Sequence, residues 1–413
     1  MKVKEFATVV SGATPSSEHP EYYSGDIVWF TPKDLSDQRS KYVCKGERNI
    51  TQAGFDSCSA KILPAGSVLM SSRAPIGLLA ITQVECCTNQ GFKSFVVNEE
   101  ICNAEYLYYY LKYHIREVEA LGSGTTFKEV SKEAIEEYDV KLPDLEIQKK
   151  IANVLSEVDN KIANNNAICA ELEAMAKLLY DYWFVQFDFP DENGKPYKSS
   201  GGKMVWSKEL NGEIPEGWTI VPLKEKCRCL LGGTPNRDKK EYWNGTINWI
   251  NSGKVNDFRI NGPSEKITDA GLANSSTYLL PANTVVLAIT GATLGQVSIL
   301  NIESCANQSV IGIIETKEVP TEYIYPWIIN SLKLLLNKQT GAAQPHVNKN
   351  DVQSLPLPLP NEQIMTAYMT YARDAYKTIL VLEQETQELA SLRDFLLPML
   401  MNGQVGFKEA DCH

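Results

Sequence analysis

The sequence repeats itself at an offset near 220 residues, and self-similarity over so long a fixed period marks a duplicated domain. Val3, Lys4 and Glu5 fall on Leu223, Lys224 and Glu225; Gly12, Thr14 and Pro15 fall on Gly232, Thr234 and Pro235; and Glu21, Tyr22, Gly25, Ile27 and Trp29 fall on Glu241, Tyr242, Gly245, Ile247 and Trp249. After a three-residue deletion the offset is 217: Ile50, Thr51, Ala53 and Gly54 match Ile267, Thr268, Ala270 and Gly271, and Leu63-Pro64-Ala65 matches Leu280-Pro281-Ala282. Cys87, Asn89 and Gln90 match Cys305, Asn307 and Gln308 at 218, and the offset returns to 217 for Glu105 on Glu322, Gly124 on Gly341, Lys132 on Lys349 and Pro143 on Pro360. A chain of 413 residues has room for two such bodies of roughly 100 to 200 residues each, with connecting elements.

Within each copy, short β-rich runs such as Ile27–Phe30, Ser67–Met70 and Lys93–Val97 alternate with Gly, Pro and Ser, and helical stretches at 104–119 and 321–337 interrupt them, which predicts an irregular α+β domain. Beyond Pro143 and Pro360 the texture changes. Asp144 and Asn361, 217 apart, are matched helix N-caps, and long helices follow. With Ile151 at position a of a heptad, the a column reads Ile151, Val158, Asn165, Leu172, Leu179 and the d column Val154, Lys161, Ile168, Met175, Tyr182. The second helix places Tyr368, Ala375, Leu382, Leu389 and Leu396 at a, with Tyr371, Leu392 and Met399 at d, and has no Gly or Pro before Pro398. Both read as coiled-coil seams. The expected arrangement is a pseudo-twofold dumbbell whose antiparallel helix pair, about 60 Å long for about 40 residues, acts as a ruler between the two copies. Asn165 in the seam would fix its register or leave a solvated break. The expected boundaries are residues 1–143 and 214–360 for the two copies, 144–190 and 361–402 for the helices, 191–213 for a linker and 403–413 for a tail.

The net charge of −11 has to be located before it says anything about partners. Residues 1–143 carry −4, 144–190 carry −4 and 361–413 carry −4, whereas 214–360 carry +1. Phosphate neutralisation normally needs an excess of Lys and Arg, so a chain with this balance grips nucleic acid weakly by itself and depends on partners for phosphate contacts. No run of about 18 apolar residues suggests a membrane span, and the opening MKVKEFATVVSG does not read as a secretory signal, so a cytoplasmic protein is expected. The ten cysteines are scattered, their closest pairs lack CxxC spacing, and the four histidines form no ligand-spaced cluster; reduced thiols and no structural metal are expected.

Several segments carry a family resemblance. They are the openings Gly12-Ala13-Thr14-Pro15 and Gly232-Gly233-Thr234-Pro235, the helix ending Leu179-Tyr180-Asp181-Tyr182-Trp183-Phe184-Val185-Gln186-Phe187-Asp188-Phe189, the segment from Gly194 to Gly202, Ile214-Pro215-Glu216-Gly217-Trp218 at the start of the second copy, and Leu396 to Gly403. In this order, and with the duplication, the chain resembles the specificity subunit of type I restriction-modification systems over nearly its whole length. The resemblance implies an α+β fold with two target-recognition domains separated by a long antiparallel two-helix coiled coil. Each domain would read one half of a split, asymmetric site in double-stranded DNA. It also implies two methyltransferase subunits and, in the full complex, restriction subunits docked on this scaffold, with S-adenosylmethionine, ATP and Mg used by those partners. The first copy departs from the pattern in lacking a Pro-Glu-Gly-Trp opening, so its first strand is expected to be shorter or differently covered.

Residues identical in both copies cannot distinguish two unlike half-sites, so the repeat serves as an internal control. Trp29, Trp249, Tyr22 and Tyr242 are assigned to packing, and the Gly-x-Thr-Pro openings to turn chemistry. Readers of base edges should be polar, in loops and different between copies. Three regions qualify: Thr31, Lys33 and Asp34 opposite Asn251, Ser252 and Lys254; Ser71, Ser72 and Arg73 opposite Ile289, Thr290 and Gly291; and Thr126 and Lys128 opposite Gln344 and His346. Arg73 suits guanine and Gln344 adenine. An Asn-Pro-Pro-aromatic methyltransferase motif, a GxGxxG turn and a Walker motif do not occur, so no catalysis is expected of this chain. The competing expectation is a structural coiled-coil protein with two heads that bind no DNA.

Overall fold

The computed structural model describes residues 1–36, 38, 40–124, 128–339 and 345–407. Packing divides the chain into two compact units, Met1–Ala167 with Glu385–His413, and Ile168–Gln384. Each unit therefore takes one copy of the repeat together with the nearer halves of both long helices, because the copy packs onto them.

In the first unit a five-stranded sheet runs in the order Ala7–Ser11, Lys93–Val97, Val68–Ser72, Ile76–Thr82, Tyr42–Val43. Its last pair is parallel and the others antiparallel. A second sheet puts Tyr23–Phe30 between Arg48–Ile50 and Cys87–Thr88. The central strand Val68–Ser72 is buried along its whole length, which suits its Val-Leu-Met content. Helix Ala104–Tyr113 closes one face, burying Tyr106, Leu107, Tyr109 and Leu111. Asn103 caps this helix, its side chain accepting from the Tyr106 amide at 2.9 Å.

The second unit repeats this topology, with Arg228–Leu231, Val310–Ile314, Val285–Ala288, Val297–Leu300 and Arg259–Ile260 in one sheet and Trp243–Ile250 between Glu265–Ile267 and Cys305–Ala306 in the other. The register agrees strand for strand: Val9 faces Phe95 as Cys229 faces Ile313, and Ser11 faces Lys93 as Leu231 faces Ile311. The copies differ at their openings. In the second, Thr219–Pro222 pairs over four residues with Pro356–Leu359, whereas in the first the pairing is the single bridge of Lys2 with Asp139.

The two long helices span Leu145–Tyr180 and Glu362–Met401. The second is capped by Asn361, whose side chain accepts from the Ile364 amide at 2.9 Å; Asp144 accepts the Gln148 amide through its backbone carbonyl at 3.0 Å. The helices are antiparallel within each unit. In the first, Asp159 meets Arg393 and Asn165 meets Glu385; in the second, Cys169 meets Ile379 and Trp183 meets Tyr368.

The seam differs from expectation in one column. The a residues are inward, but most of the d column assigned from hydrophobicity faces out: Ile168 is 44%, Met175 53%, Tyr371 63% and Leu392 45% exposed, while Val154 and Met399 are half-buried. The column at i+4 is inward instead, through Leu155, Cys169 and Ala176 on the first helix and Ala372, Ile379 and Leu400 on the second. Both i+3 and i+4 neighbour position a on a helix. Here the true column holds small or polar residues such as Cys169, Ala176 and Arg393, so apolar content pointed to the wrong flank.

At the end of the first long helix the backbone widens into a π-helical turn, Asp181–Val185, and Trp183, Phe184 and Phe189 pack with Trp218, Tyr323 and Tyr368. Phe189 stacks on Trp218 with centroids 5.7 Å apart. Within the aromatic segment that carried the family resemblance, Trp183, Phe184 and Phe189 are thus core, while Tyr182 and Val185 are exposed. Among the described residues no helix is long and apolar enough to cross a membrane, and no group of His, Cys, Asp or Glu is arranged to hold a metal ion.

Candidate nucleic-acid interface

Shared residues build one backbone frame in each copy. Trp29 is 4% exposed and donates its indole N–H to the Ala13 carbonyl at 3.1 Å; Trp249 is 2% exposed and does the same to Gly233 at 3.1 Å. A Cβ on Gly12 would lie 2.1 Å from the Asn89 carbonyl oxygen, and one on Gly232 would lie 2.1 Å from that of Asn307, so only glycine admits this close approach. The hydroxyls of Thr14 and Thr234 donate to the side-chain oxygens of Gln90 and Gln308. The Gly-x-Thr-Pro opening therefore clamps the Asn-Gln segment.

That segment gathers the three candidate regions. In the first copy the Asn89 amide donates to the Phe30 carbonyl at 2.9 Å, tying it to the region beginning at Thr31. The Ser72 amide donates to the Gly91 carbonyl at 2.7 Å, and the Ser72 carbonyl accepts from Val130 at 3.0 Å. Arg73 pairs with Glu129 in an isolated bridge. In the second copy Asn307 donates to Ile250 at 2.9 Å, Ile289 donates to Ser309 at 2.8 Å and accepts from Val347 at 3.0 Å, and Thr290 bridges His346. The bonds are the same and the side chains differ.

Within this frame the sequence candidates fall into distinct classes. Ser71 and Ser72 are fully buried on the central strand, a correction to their reading as loop residues. Ser71 Oγ donates to the Pro75 carbonyl at 2.7 Å and accepts from the Leu78 amide at 2.8 Å, which lets a small polar side chain sit inside the sheet. Asp34 lies on the short helix Pro32–Ser36 and is occupied in organising it: Oδ2 accepts from the Thr31 amide and hydroxyl at 2.6 and 2.7 Å, and Oδ1 from the Glu47 amide at 2.7 Å. Thr31 is half-buried in the same set of bonds, and Lys33 is exposed and pairs with Glu47 at 2.8 Å. Asn251 caps the turn Ser252–Lys254, accepting from the Gly253 amide at 3.0 Å; it is exposed with Lys254, while Ser252 is half-buried.

Arg73 and Lys128 reach the surface of the first copy, and Thr290 and His346 stand at the matching place in the second. Thr126 and Gln344 lie outside the described residues. Two charged residues were missed. Lys93 is 6% exposed, and its ammonium donates to Glu129 Oε1 at 3.2 Å, while Glu129 Oε2 lies 3.9 Å from Arg73 Nη1. The available signal was the mismatch of Lys93 with Ile311 in otherwise matched apolar strands.

A reusable backbone frame bearing unlike polar side chains suits direct reading of base edges, for which hydrogen-bond donors and acceptors are the currency. Comparisons with known proteins agree with this architecture. A type I restriction enzyme specificity subunit of Methanocaldococcus jannaschii, MjaIX, is 28% identical over 99% of this chain and 93% of its own length. The HindI specificity subunit of Haemophilus influenzae is 23% identical over 68% of this chain and 72% of its own. The crystal structure of a type I restriction-modification S subunit from M. genitalium superposes with a TM-score of 0.62 at 14% identity, covering 99% of this chain and 96% of that one, and shows a shared fold. The family model described as the type I restriction modification DNA specificity domain matches twice, over residues 1–174 and 215–389. The helix pair and two heads thus serve DNA recognition rather than a purely structural role, and the chain belongs to the type I restriction-modification DNA specificity family.

Proposed function

We propose that each copy reads one half of a bipartite, asymmetric site in double-stranded DNA, and that the chain is the recognition scaffold on which two methyltransferase subunits and, in the full complex, restriction motor-nuclease subunits assemble in the cytoplasm. One observation carries this reading: identical backbone bonds around Asn89–Gly91 and Asn307–Ser309 present Arg73 and Glu129 in one copy and Thr290 and His346 in the other. Two readers that share a frame but not their side chains suit two different half-sites.

Catalysis belongs to the partners on this reading. S-adenosylmethionine, ATP and Mg then belong to the other subunits, in keeping with a sequence that carries no glycine-rich cofactor turn and no Walker motif. The net charge of −11 makes the same point about affinity, since partners have to supply much of the phosphate contact.

The test is methylation mapping with the chain reconstituted with its methyltransferase subunits, alongside a hybrid in which residues 1–143 are exchanged for those of a relative. The expected result is one altered half-site and one unchanged. Equal competition by specific and random duplexes, or simultaneous change of both halves, overturns the proposal.

A further inference from the structure

A lysine inside an apolar sheet is costly to desolvate and calls for a reason. Lys93 begins the strand Lys93–Val97 and faces Ser11, at the register position where the second copy has Ile311 facing Leu231. The scaffold is therefore complete without a charge there. In the first copy the buried ammonium reaches one oxygen of Glu129, Oε1, at 3.2 Å, and the other oxygen, Oε2, faces the guanidinium of Arg73 at 3.9 Å. The counterparts of Glu129 and Arg73 in the second copy, His346 and Thr290, form no such triad with Ile311, which has no charge.

The geometry is that of a supported arm. Glu129 is pinned by its backbone, which exchanges two hydrogen bonds of 3.0 Å with Ser123, and its carboxylate is anchored from below by Lys93. Gly91 lies against the arm, since a Cβ there would lie 3.6 Å from Arg73 Cγ and 3.2 Å from Pro32. At 3.9 Å the Arg73 contact is an ion pair and not a hydrogen bond, so it directs the guanidinium while leaving its N–H groups able to donate elsewhere. Arginine presents two parallel donors, and the base edge that accepts such a pair is guanine, through O6 and N7 in the major groove.

We infer that Lys93 and Glu129 are positioning residues that aim Arg73 at a guanine in the half-site read by the first copy, a role that rests on the DNA-reading function proposed above. The second copy, lacking the triad, uses neutral or imidazole chemistry at the same place.

Methylation profiles of the reconstituted chain with its methyltransferase subunits test this, with base preference scored at every position of both half-sites. Arg73→Ala should lower the preference for guanine at one position of one half-site by about tenfold to a hundredfold, the range for losing one bidentate pair. Glu129→Gln and Lys93→Ile should relax that same position more weakly, by about threefold to tenfold, and leave the other half-site at its normal preference. Lys93→Ile reproduces the residue the second copy already carries, and the intact second half-site reports that each variant is folded and assembled. Three results overturn the inference: Glu129→Gln and Lys93→Ile leaving every position unchanged while Arg73→Ala changes one; Glu129→Gln switching a preference that Arg73→Ala does not affect, which would make Glu129 itself the reader; or Arg73→Ala changing nothing. Absence of base preference in the unmodified assembly at both half-sites would instead refute the underlying reading.

Discussion

Asn165, fully buried on the first long helix, donates its amide to the Glu385 carboxylate of the second helix at 2.8 Å. Its own carbonyl oxygen has no hydrogen-bond partner among the described residues. Of the two roles the sequence allowed, a register pin or a solvated break, the buried pairing is the one observed.

Stability should follow the orphaned group and not the count of bonds. Glu385→Ala leaves a buried amide unpaired and should destabilise by about 1–3 kcal/mol. Asn165→Leu removes both the bond and the orphan oxygen and should stay within about 1 kcal/mol of the parent, because Glu385 retains solvent and its 3.3 Å contact with Lys161. Urea denaturation of both variants checks the order; a more damaging Asn165→Leu would show that the amide contributes more than its pairing explains.

The inward flank of the seam can be tested separately. Ile379 is fully buried in the second unit, and Tyr371, eight residues earlier, is 63% exposed. Ile379→Ala should cost about 2–5 kcal/mol, the range for truncating a core aliphatic side chain, and Tyr371→Ala less than about 1 kcal/mol. Thermal unfolding distinguishes the two, and a larger loss at Tyr371 would restore the flank that hydrophobicity had suggested.

Gly12 offers a disruption confined to one copy. An added Cβ would meet the carbonyl oxygens of Asn89 at 2.1 Å and Thr88 at 2.3 Å, and backbone cannot move aside cheaply. Gly12→Ala should displace the Asn-Gln segment and erase discrimination across the first half-site as a whole, while Gly232→Ala should do so for the second. Methylation mapping of each variant gives the answer; loss at a single base pair would mean that the segment is a reader and not a frame.

The duplication made the frame legible because shared positions make the same contacts in both copies: Trp29 and Trp249 donate to the backbone of the Gly-x-Thr-Pro opening, Thr14 and Thr234 bond to Gln90 and Gln308, and Gly12 and Gly232 lie against Asn89 and Asn307. The readers were harder to find. Polarity and divergence drew attention to Ser71 and Ser72, yet both are buried: the Ser71 hydroxyl bonds locally to Pro75 and Leu78, and that of Ser72 has no hydrogen-bond partner among the described residues, so polarity did not mean exposure. Lys93 was passed over for the converse reason: it heads an apolar strand, and a single sequence does not show that a charge there points inward to Glu129. Asp34 was legible as different between copies but not as already occupied by Thr31 and Glu47, since those bonds depend on the turn that brings them together. On the helices, composition located the a column but not which neighbour of it was covered.

A buried pair fastens the first copy to its helix, and its pH response has a definite sign. Lys41, whose side chain is 3% exposed, donates to Glu105 and to the Tyr109 hydroxyl at 3.3 Å each, and Ser156 on the first long helix bonds to both charged groups. Burial pushes the Lys41 ammonium below its usual range and would push Glu105 up. For Glu105 the hydrogen bonds from Ser156 and Tyr42 and the charge of Lys41 outweigh burial and hold the carboxyl below its usual 4.5. A depressed carboxyl stabilises the fold fully above its unfolded value and loses that contribution as pH falls through the folded one. Glu105→Gln should therefore cost about 3 kcal/mol at neutral pH, where it strands a buried cation, and the gap to the parent protein should narrow below pH 4.5 as the parent loses the same charge. Denaturation curves at pH 7 and at successive steps below pH 4.5 follow the gap, and a gap that did not narrow in acid would mean that the Glu105 charge is not what holds Lys41 in place.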